Sequence, residues 1–273
     1  MVSIITAVHN QLAMNKLFYE KLVKYTHYPF ELIIIDNNST DGSREFFRSV
    51  GAIVIPNEQN YSYPYCQNQG IRKAKYDVLA FLNNDIIVAP AWDKHIMEAM
   101  QANQLDIITS CGIERVETVP ATLALGRRWK LIKNIISNIA RNGFTFRLMA
   151  RLMYGDWEKF CSRRYARFGN QVQEGFVGNS VIMTRRGLEK VGLWDERIQG
   201  ADFDLYIRSK KRHLEQGDIK PMHLALGVFN HHFIRLTVKS KPIKFADAGN
   251  IIKVEQKWTP EERALYLKDY VAI

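Results

Sequence analysis

Two short apolar segments of the chain each stop at an acidic residue. Residues 32–35 lead to Asp36, and residues 78–82 lead through two asparagines to Asp85. Continuous apolar runs of this kind predict strands that are buried on both faces of a parallel sheet. Because ligands bind at the carboxyl ends of such strands, one sheet edge would carry both acids. One acid could then bind a nucleotide base and the other a metal-bound diphosphate.

The elements that would position these acids alternate between apolar strands and amphipathic helices. Strands are predicted over residues 3–8, 32–35, 52–55, 78–85 and 106–110. A first helix is predicted from the end of the first strand to about residue 26, and further helices over residues 42–49, 64–74 and 90–102. We expect Leu17, Leu22 and Val23 on the inner face of the first helix. The alternation predicts an α/β fold with a parallel sheet and right-handed crossovers.

Further motifs follow in a fixed order along the chain. They are residues 3–10, 35–43, 57–60, 68–71, 82–85, 178–186, 191–196 and 201–208, and the pair His231-His232. From residue 3 to about residue 235 the ordered set resembles the inverting glycosyltransferases of family 2. The resemblance implies the GT-A fold, in which helices flank a mostly parallel central sheet. It also implies transfer of a sugar from a nucleotide-diphosphate donor.

The resemblance assigns the first acid to the nucleotide base. Asp36 can accept a hydrogen bond from a ring N–H of uracil or guanine, although an aspartate here can also cap the following helix. The loop after the first strand would form the other side of the base and ribose site, but the family's usual proline and tyrosine are missing from it. The residues implied in donor binding are Thr6, Ala7, His9, Asn10, Asp36, Asn38, Asn60, Asn68, Asn83, Asn84, Gly178 and Asn179.

The second acid lies where the family has its Asp-x-Asp metal motif. In the run Asn83-Asn84-Asp85 only Asp85 is charged, and a polar turn after a strand is the alternative interpretation. A divalent ion, Mn²⁺ or Mg²⁺, would share its coordination with diphosphate oxygens. His231 or His232 could add a nitrogen ligand, which Mn²⁺ accepts better than Mg²⁺. His231 matches the family position better, so the predicted metal ligands are Asp85 and His231.

A third acidic motif supplies the predicted catalytic base. Inversion is a single displacement, so a carboxylate must take the proton of the acceptor hydroxyl. The family's Glu-Asp-x-Asp-Leu corresponds to residues 201–205, which places the base at Asp202 and replaces the preceding Glu by Ala201. Asp204 and Arg208 are spaced i, i+4, so they are expected to pair with each other on a helix.

Nearly all the excess positive charge of the chain lies in one segment. The chain has a net charge of +10, and residues 127–168 contain eleven Lys or Arg against two acids, a net +9. Three interpretations are open: helices packed on the core with solvated charges, a face for an anionic membrane, and a face for nucleic acid or another polyanionic acceptor.

Apolar residues within this basic segment recur at helical spacing. They are Trp129, Ile132, Ile136 and Ile139 in a first stretch, and Phe144, Leu148 and Leu152 in a second. Arg147 and Arg151 lie beside the second set. Asn142-Gly143 is expected to cap the first helix at its carboxyl end.

Composition adds an expectation about the compartment. The three cysteines are scattered and are expected to be reduced thiols. No apolar run approaches the roughly 20 residues that span a bilayer, and the first residues are typical of a strand rather than of a signal peptide. These features predict a cytoplasmic protein, which the basic segment could hold at the periphery of a membrane.

We expect a single domain. Its predicted parts are a nucleotide-sugar-binding half (residues 1–112), a basic helical insertion (113–170), an acceptor and catalytic half (171–240) and a carboxyl-terminal extension (241–273). Tyr61, Tyr63 and Tyr65 are expected in a loop, where they could stack on a sugar or a base or pack against the insertion. A capping box at residues 259–262 predicts a short final helix.

The motifs together predict a metal-dependent inverting glycosyltransferase. UDP-sugar is the first donor expected, followed by GDP- and dTDP-sugars, and the acceptor would be a hydroxyl of a glycan or a lipid-linked saccharide. Two alternatives remain. The basic segment allows an enzyme that glycosylates modified bases of nucleic acid, and the reduced metal motif allows a sugar-nucleotide-binding module without catalysis.

Overall fold

The structure, a computed structural model, describes residues 1–137, 140, 142–236 and 244–268. The strands are β1 (Val2–Val8), β2 (Phe30–Asn37), β3 (Ile53–Asn57), β4 (Val78–Leu82), β5 (Ile86–Ile87), β6 (Ile107–Cys111), β7 (Val172–Glu174), β8 (Ser180–Thr184), β9 (His223–Phe229) and β10 (His231–His232). The helices are α1 (Leu12–Tyr25), α2 (Ser43–Ser49), α3 (Tyr63–Lys73), α4 (Trp92–Asn103), α5 (Val119–Ile136), α6 (Gly143–Tyr154), α7 (Trp157–Phe168), α8 (Arg185–Val191), α9 (Ala201–Gln216), α10 (Val254–Lys257) and α11 (Pro260–Tyr266). No helix in the described ranges is both long enough and apolar enough to cross a bilayer.

The described strands form an eight-stranded sheet and a two-stranded ribbon. The sheet order is β3-β2-β1-β4-β8-β6-β9-β7, and the ribbon pairs β5 with β10. Strands β1 to β4 are mutually parallel, and β6 is parallel to β9. Strand β8 runs antiparallel between β4 and β6, and β7 runs antiparallel on the outer side of β9. The sheet is therefore mostly parallel, as predicted, and β8 begins at the edge where β1, β2 and β4 end.

Both faces of the sheet are covered. Ile34 belongs to one buried cluster together with residues of α1 and α4, whereas Ile33 and Ile35 belong to a second cluster together with residues of α3 and α9. All three side chains have no exposed surface. Continuous apolar runs are explained by this arrangement, because successive side chains of a strand enter opposite clusters.

Helix α1 buries a slightly different face from the one predicted. Leu17 and Leu22 are buried, but Val23 is 50% exposed. Met14 and Phe18 complete the inner stripe, with the spacing that places one face of a helix against a sheet. Val23 follows Leu22 by one residue, a turn of about 100° around the helix, so the prediction that Val23 faces inward was wrong.

The fourth strand and the third helix have other bounds than the sequence predicted. Strand β4 ends at Leu82, and Asp85 lies beyond it, just before the short ribbon strand β5. Tyr63 and Tyr65 are not in a loop, because α3 begins at Tyr63 with Pro64 in its first turn. Tyr65 stacks on Tyr61 with ring centroids 4.5 Å apart, so Tyr61 and Tyr65 pack on each other rather than on the insertion.

The basic insertion folds as three helices, α5 to α7. Helix α5 ends at Ile136, with Ser137 as its C-cap. Asn142 caps the amino end of α6, where its side-chain oxygen accepts from the backbone N–H of Phe144 and Thr145. The prediction that Asn142-Gly143 closes the first helix was therefore wrong, because an asparagine before a helix favours the amino-terminal cap. The predicted contributions of Ile139 and Arg141 lie outside the described residues.

The carboxyl-terminal extension packs against the rest of the chain. The capping box at Thr259 begins α11, as predicted. Asp247 accepts hydrogen bonds from the backbone N–H (2.9 Å) and the hydroxyl (2.5 Å) of Ser62 at the amino end of α3. Trp258 is buried, and its indole N–H donates to Asp204 at 2.9 Å. The extension thus joins the start of α3 to the start of α9.

Candidate active site

The loops after β1 and β2 bond to each other at the sheet edge. The Nδ1 atom of His9 donates to the carbonyl oxygen of Asn37 at 2.7 Å, and the side-chain oxygen of Asn10 accepts from the backbone N–H of Thr40 at 2.8 Å. Asn38 has a left-handed backbone (φ 59°), which asparagine tolerates, and its side chain is exposed. His9, Asn10 and Asn38 therefore lie together where the sequence predicts the base and ribose site.

Asp36 lies at the end of β2 with no exposed surface. Its carboxylate accepts from the Nε atom of Arg44 at 2.5 Å and from the backbone N–H of Ser39 at 3.3 Å. Helix α2 begins only at Ser43, so Asp36 binds that helix through Arg44 rather than by capping it. A carboxylate has about four acceptor positions, so these bonds do not fill all of them, but the ring N–H of a base would reach Asp36 only if Arg44 moved aside.

Two predicted donor residues lie within a strand instead of in the loop after it. Thr6 and Ala7 belong to β1, which continues to Val8 opposite Asp36. Thr6 is fully buried, and its hydroxyl has no hydrogen-bond partner in the described part of the chain. The loop position predicted for these two residues was wrong, because β1 is paired with a strand along its whole length.

The side chain of Asn68 is occupied by a neighbouring loop. Its amide nitrogen donates to the carbonyl oxygen of Trp194 (2.9 Å) and to the Glu196 carboxylate (2.8 Å), and its amide oxygen accepts from the backbone N–H of Trp194 (3.1 Å). Asn68 therefore fixes the loop that carries Trp194. Asn60 accepts from the backbone N–H of Ala246 through its carbonyl oxygen at 2.7 Å.

The two asparagines after β4 have different surroundings. The side chain of Asn84 donates to the side chain of Asn15 on α1 at 2.7 Å, which ties the turn to that helix. The backbone N–H of Asn83 donates to the carbonyl oxygen of Asn179 at 3.0 Å, and the side chain of Asn83 is partly exposed. Asn83 rather than Asn84 therefore presents its amide at the sheet edge.

Asp85, His232 and Glu114 form a row of polar side chains. The Nε2 atom of His232 lies 3.1 Å from Oδ1 of Asp85, and its Nδ1 atom bonds to the Glu114 carboxylate. The other oxygen of Glu114 accepts from the amide of Asn179 at 3.2 Å. Burial favours neutral His232, but the charges and hydrogen bonds of Asp85 and Glu114 prevail and raise the pKa of His232 well above its usual value.

His231, the predicted metal ligand, faces away from this row. Its Nδ1 atom lies 2.9 Å from the hydroxyl of Tyr154, and its ring lies 5.0 Å from Trp129 between ring centroids. Burial, together with the charge of His232, lowers the pKa of His231 to about 3. Successive side chains of a strand point to opposite sides. Because His232 faces Asp85, its neighbour His231 faces the aromatic core.

Asp85 and His232 could supply two ligands to a divalent ion, which would replace the proton that His232 Nε2 now shares with Asp85. Cis ligands about 2.1 Å from a six-coordinate metal are about 3 Å from each other, close to the 3.1 Å between Oδ1 and Nε2. Among the residues that the structure describes, no group of three or more His, Cys, Asp or Glu side chains could hold a metal ion. Two protein ligands leave positions for diphosphate oxygens and water, the arrangement that Mg²⁺ and Mn²⁺ accept at phosphate sites.

Asp202 begins α9 beside Gly178. A Cβ atom on Gly178 would lie only 2.1 Å from Oδ2 of Asp202, so a side chain there would displace the carboxylate. Burial raises the pKa of Asp202, a backbone hydrogen bond from Phe203 opposes the rise, and the charge of Glu114 adds to it. Gly178 precedes Asn179, so Asp202 lies near the row of Asp85, His232 and Glu114.

The second acid of this motif has a structural role. Asp204 is buried, and its carboxylate binds Arg208 at 2.8 Å, as predicted, as well as Lys257 at 2.6 Å. The indole of Trp258 adds a third contact. The carboxylate of Asp204 is thus bound by three side chains of the fold, whereas Asp202 has no ion pair among the described residues.

Sequence reasoning missed Glu114, the residue that connects the histidine to Asn179. The signal was present, because Glu114 follows the apolar strand β6 as Asp36 and Asp85 follow β2 and β4. Gly112 permits its position, since a Cβ atom there would lie 2.5 Å from the Glu114 carboxylate. The partner of Asp36, Arg44, was missed because a basic residue in a short surface helix has no distinctive pattern.

Comparisons with known proteins identify the family and the fold. The sequence model of the family described as Glycosyl transferase family 2 matches residues 3–188, more than half of the chain. The chain is 27% identical over 181 residues to a chondroitin synthase of Escherichia coli, a match that covers 63% of this chain and 26% of that protein. It is 25% identical over 209 residues to a hyaluronan synthase of Pasteurella multocida, covering 72% of this chain and 21% of that protein. The chain therefore spans about a quarter of the length of these relatives.

A solved structure supports the fold. The crystal structure of GalNAc-T7 with UDP, GalNAc and Mn²⁺ is similar to this chain with a TM-score of 0.60 and 12% identity. The match covers 98% of this chain and 49% of that one. At this level of identity the likeness shows the fold alone, which is the GT-A fold.

Proposed function

Because the chain belongs to glycosyl transferase family 2, we propose that it transfers a sugar from a nucleotide-diphosphate donor to a hydroxyl of a glycan or a lipid-linked saccharide, with inversion. One observation carries this proposal. A hydrogen-bonded row from Asp85 through His232 and Glu114 to Asn179 ends next to Gly178, against which Asp202 packs. A carboxylate–imidazole pair suited to a metal-bound diphosphate and a carboxylate suited to an acceptor hydroxyl thus lie near each other.

The first part of the proposal concerns the leaving group. Asp85 and His232 would hold Mn²⁺ or Mg²⁺, and the bound ion would neutralise the charge that develops on the departing diphosphate. His232 replaces His231 as the proposed nitrogen ligand, since the ring of His231 contacts Tyr154 and Trp129. Glu114 orients the His232 ring through Nδ1, the role that carboxylates commonly have behind metal-binding histidines.

The second part concerns the acceptor. Asp202 would accept the proton of the attacking hydroxyl as the new glycosidic bond forms and the bond to the diphosphate breaks. Its raised pKa makes the carboxylate a stronger base than an ordinary aspartate. Burial is the main cause of that rise, and the negative charge of Glu114 contributes to it.

The third part concerns the donor. Asp36, His9, Asn10 and Asn38 would surround the base and ribose, and Asn83, Gly178 and Asn179 would line the path to the sugar. A carboxylate that accepts a ring N–H suits uracil and guanine, so a UDP-sugar is the first donor to test and a GDP-sugar the second. For the acceptor, we propose only the class of molecule, a glycan or a lipid-linked saccharide.

The experiment is a thermal-shift screen of nucleotide sugars with and without Mn²⁺. Ligands that bind the folded state raise Tm by mass action. We expect one nucleotide to raise Tm strongly only when Mn²⁺ is present, because a single carboxylate and one imidazole hold the ion weakly without diphosphate oxygens. Transfer to glycan acceptors would then be measured with that donor. A chain whose Tm responds to no nucleotide sugar with or without metal would contradict the proposal.

A further inference from the structure

Helices α5 and α6 expose an unusual number of apolar side chains. Of the eleven large apolar side chains that are exposed in the described residues, six lie on these two helices. They are Val119, Leu123, Leu131, Ile135, Phe144 and Leu152. Phe144 is 73% exposed and Leu131 is 63% exposed. These two helices thus hold more than half of the exposed large apolar side chains of the described residues.

Positive charge occurs among these apolar side chains without negative charge. The sequence has no Asp or Glu between Glu117 and Asp156. Arg127, Lys130 and Arg151 are exposed, and within the described part of the chain none of them forms an ion pair. We call the exposed side of α5 and α6, with these three cations and the six apolar side chains, the insertion face.

On α6 the two kinds of side chain share one stripe. Phe144, Arg147, Leu148, Arg151 and Leu152 follow one another at i, i+3, i+4, i+7 and i+8, and all of them are exposed or partly exposed. The residues that α6 buries are Thr145, Phe146, Met149, Met153 and Tyr154. Leu148 also packs against the core, but Phe144, Arg151 and Leu152 face solvent, and their exposure is not explained by packing on the core.

The opposite side of these helices packs on the strand that carries His232. The ring of Trp129 on α5 lies 5.0 Å from that of His231, and the ring of Phe146 on α6 lies 5.5 Å from that of Phe233. The insertion face is therefore separated from the candidate site by one layer of helix, about 10 Å thick. An object bound to this face would lie within the reach of a short saccharide held at the site.

A cavity of about 500 Å³ opens beside this face, between α1 and α6. Its lining includes the cations Lys21, Arg147 and Arg151, the aromatic rings of Tyr25 and Trp157, and one acid, Asp156. Lys21 and Arg147 both bind Glu20, which leaves Arg151 as the cation without an acidic partner among the described residues. Cations above aromatic and apolar walls suit a phosphate group that is attached to an apolar chain.

We propose that the insertion face binds the surface of an anionic phospholipid bilayer, with its apolar side chains among the acyl chains and its cations at the lipid phosphates. Interfacial helices combine these two kinds of side chain in the same way. A second copy of the chain does not suit this face, because two faces without any acid would repel each other. Nucleic acid does not suit it either, because contacts to phosphates use basic and polar side chains and leave six exposed apolar side chains in water.

Sedimentation with vesicles tests this proposal and needs no enzymatic turnover, so its result is independent of the proposed function. The full chain would be mixed with vesicles of phosphatidylcholine, and with vesicles in which about a third of the lipid is phosphatidylglycerol. The first variant combines Leu131→Ser, Ile135→Ser and Phe144→Ser. The second combines Arg127→Gln, Lys130→Gln and Arg151→Gln. The control combines Leu214→Ser and Leu265→Ser, which remove apolar side chains that are 54% and 55% exposed on α9 and α11.

We expect the parent and the control to bind anionic vesicles equally. The first variant should bind at least about tenfold more weakly. The second should bind about 100-fold more weakly, and its binding should depend less on salt. Equal binding of the parent to neutral and anionic vesicles, or equal loss in the control, would overturn the proposal. So would a dimer in solution that Phe144→Ser dissociates, or binding to DNA that is tighter than binding to anionic vesicles.

Discussion

At the scale of single residues, the direction of a side chain determines whether that residue belongs to the candidate site. His231 and His232 are adjacent and chemically identical, and both lie on the two-residue strand β10. Their surroundings differ completely: His232 lies between two carboxylates, and His231 lies among aromatic rings. The two carboxylates favour a positive charge at His232, whereas the aromatic core favours the neutral imidazole of His231.

The metal response should therefore depend on His232 and not on His231. We expect Mn²⁺ and the matching nucleotide sugar together to raise the Tm of the parent more than either does alone. Asp85→Asn and His232→Ala should lose this joint effect and lower turnover by more than about 10²-fold. His231→Asn should keep the joint effect, although its Tm in buffer should fall because a buried residue is changed. A retained response in His232→Ala with a lost response in His231→Asn would restore the ligand first predicted from the sequence.

Asp202→Asn should separate catalysis from stability. Asparagine keeps the size of the side chain but cannot take a proton, so turnover should fall by roughly 10²–10⁴-fold while donor affinity changes little. The pKa of Asp202 is higher in the folded than in the unfolded chain, so folding loses stability as pH rises from the unfolded to the folded pKa. At neutral pH the neutral asparagine should therefore raise Tm. A lower Tm with unchanged turnover would contradict both parts.

Gly178→Ala tests whether the position of Asp202 matters. The added Cβ atom would lie 2.1 Å from Oδ2 of Asp202, so the carboxylate must move. A shift of about 1 Å in a catalytic group can lower turnover by about 10²-fold, and we expect a loss of at least that size. Gly126→Ala is the control, because nothing lies within 4 Å of its added atom. An active Gly178→Ala enzyme would show that Asp202 does not act as the base.

At the scale of elements, strong local patterns were predictable and inserted elements were not. The run of residues 32–35 is buried on both faces of the sheet as predicted, since only a central strand satisfies four consecutive apolar residues. Strand β8 also follows an apolar pattern, but its antiparallel direction depends on the path of the chain through the insertion. The cap at Asn142 was assigned to the wrong helix for a related reason. A single asparagine between two helices can serve either end, and only the backbone conformation decides.

The positions of the candidate site residues were predictable where these residues adjoin regular elements. Asp36, Asp85 and Asp202 follow or begin regular elements, and the sheet brings those element ends to one edge. The choice between the two histidines was not predictable, because it depends on the phase of a two-residue strand that pairs with β5. Thr6 was assigned to the loop although the predicted strand over residues 3–8 already included it, and the structure pairs β1 up to Val8.

The carboxyl-terminal extension should stabilise the start of α3. Asp247 accepts two hydrogen bonds from Ser62, which is fully buried. Asp247→Ala leaves these donors without their acceptor, and an unsatisfied buried polar group costs about 1–3 kcal/mol. Chemical denaturation should show that loss in the free energy of unfolding. Glu255→Ala on the exposed α10 is the control, and an equal effect of both substitutions would exclude this role for the extension.

At the scale of the whole molecule, the excess positive charge and the proposed site residues lie in different segments of the chain. Residues 127–168 carry a net +9 of the total +10, and no residue of the proposed donor, metal or base set lies among them. The same helices that expose this charge pack on the strand of His232 with their other side. The molecule therefore presents one face to an anionic surface and the adjoining edge of its sheet to the sugar donor.

This separation predicts that salt affects two acceptors differently. A saccharide acceptor would be supplied in two forms, free in solution and anchored by a lipid in anionic vesicles. Salt screens the attraction between the insertion face and the vesicles, so turnover of the anchored form should fall as salt rises. Turnover of the free form should stay nearly constant, because donor binding uses buried groups that salt screens weakly. In the variant that combines Arg127→Gln, Lys130→Gln and Arg151→Gln, the anchored form should be slow at every salt concentration and the free form unaffected. An equal dependence on salt for both forms would show that the face has no part in reaching the acceptor.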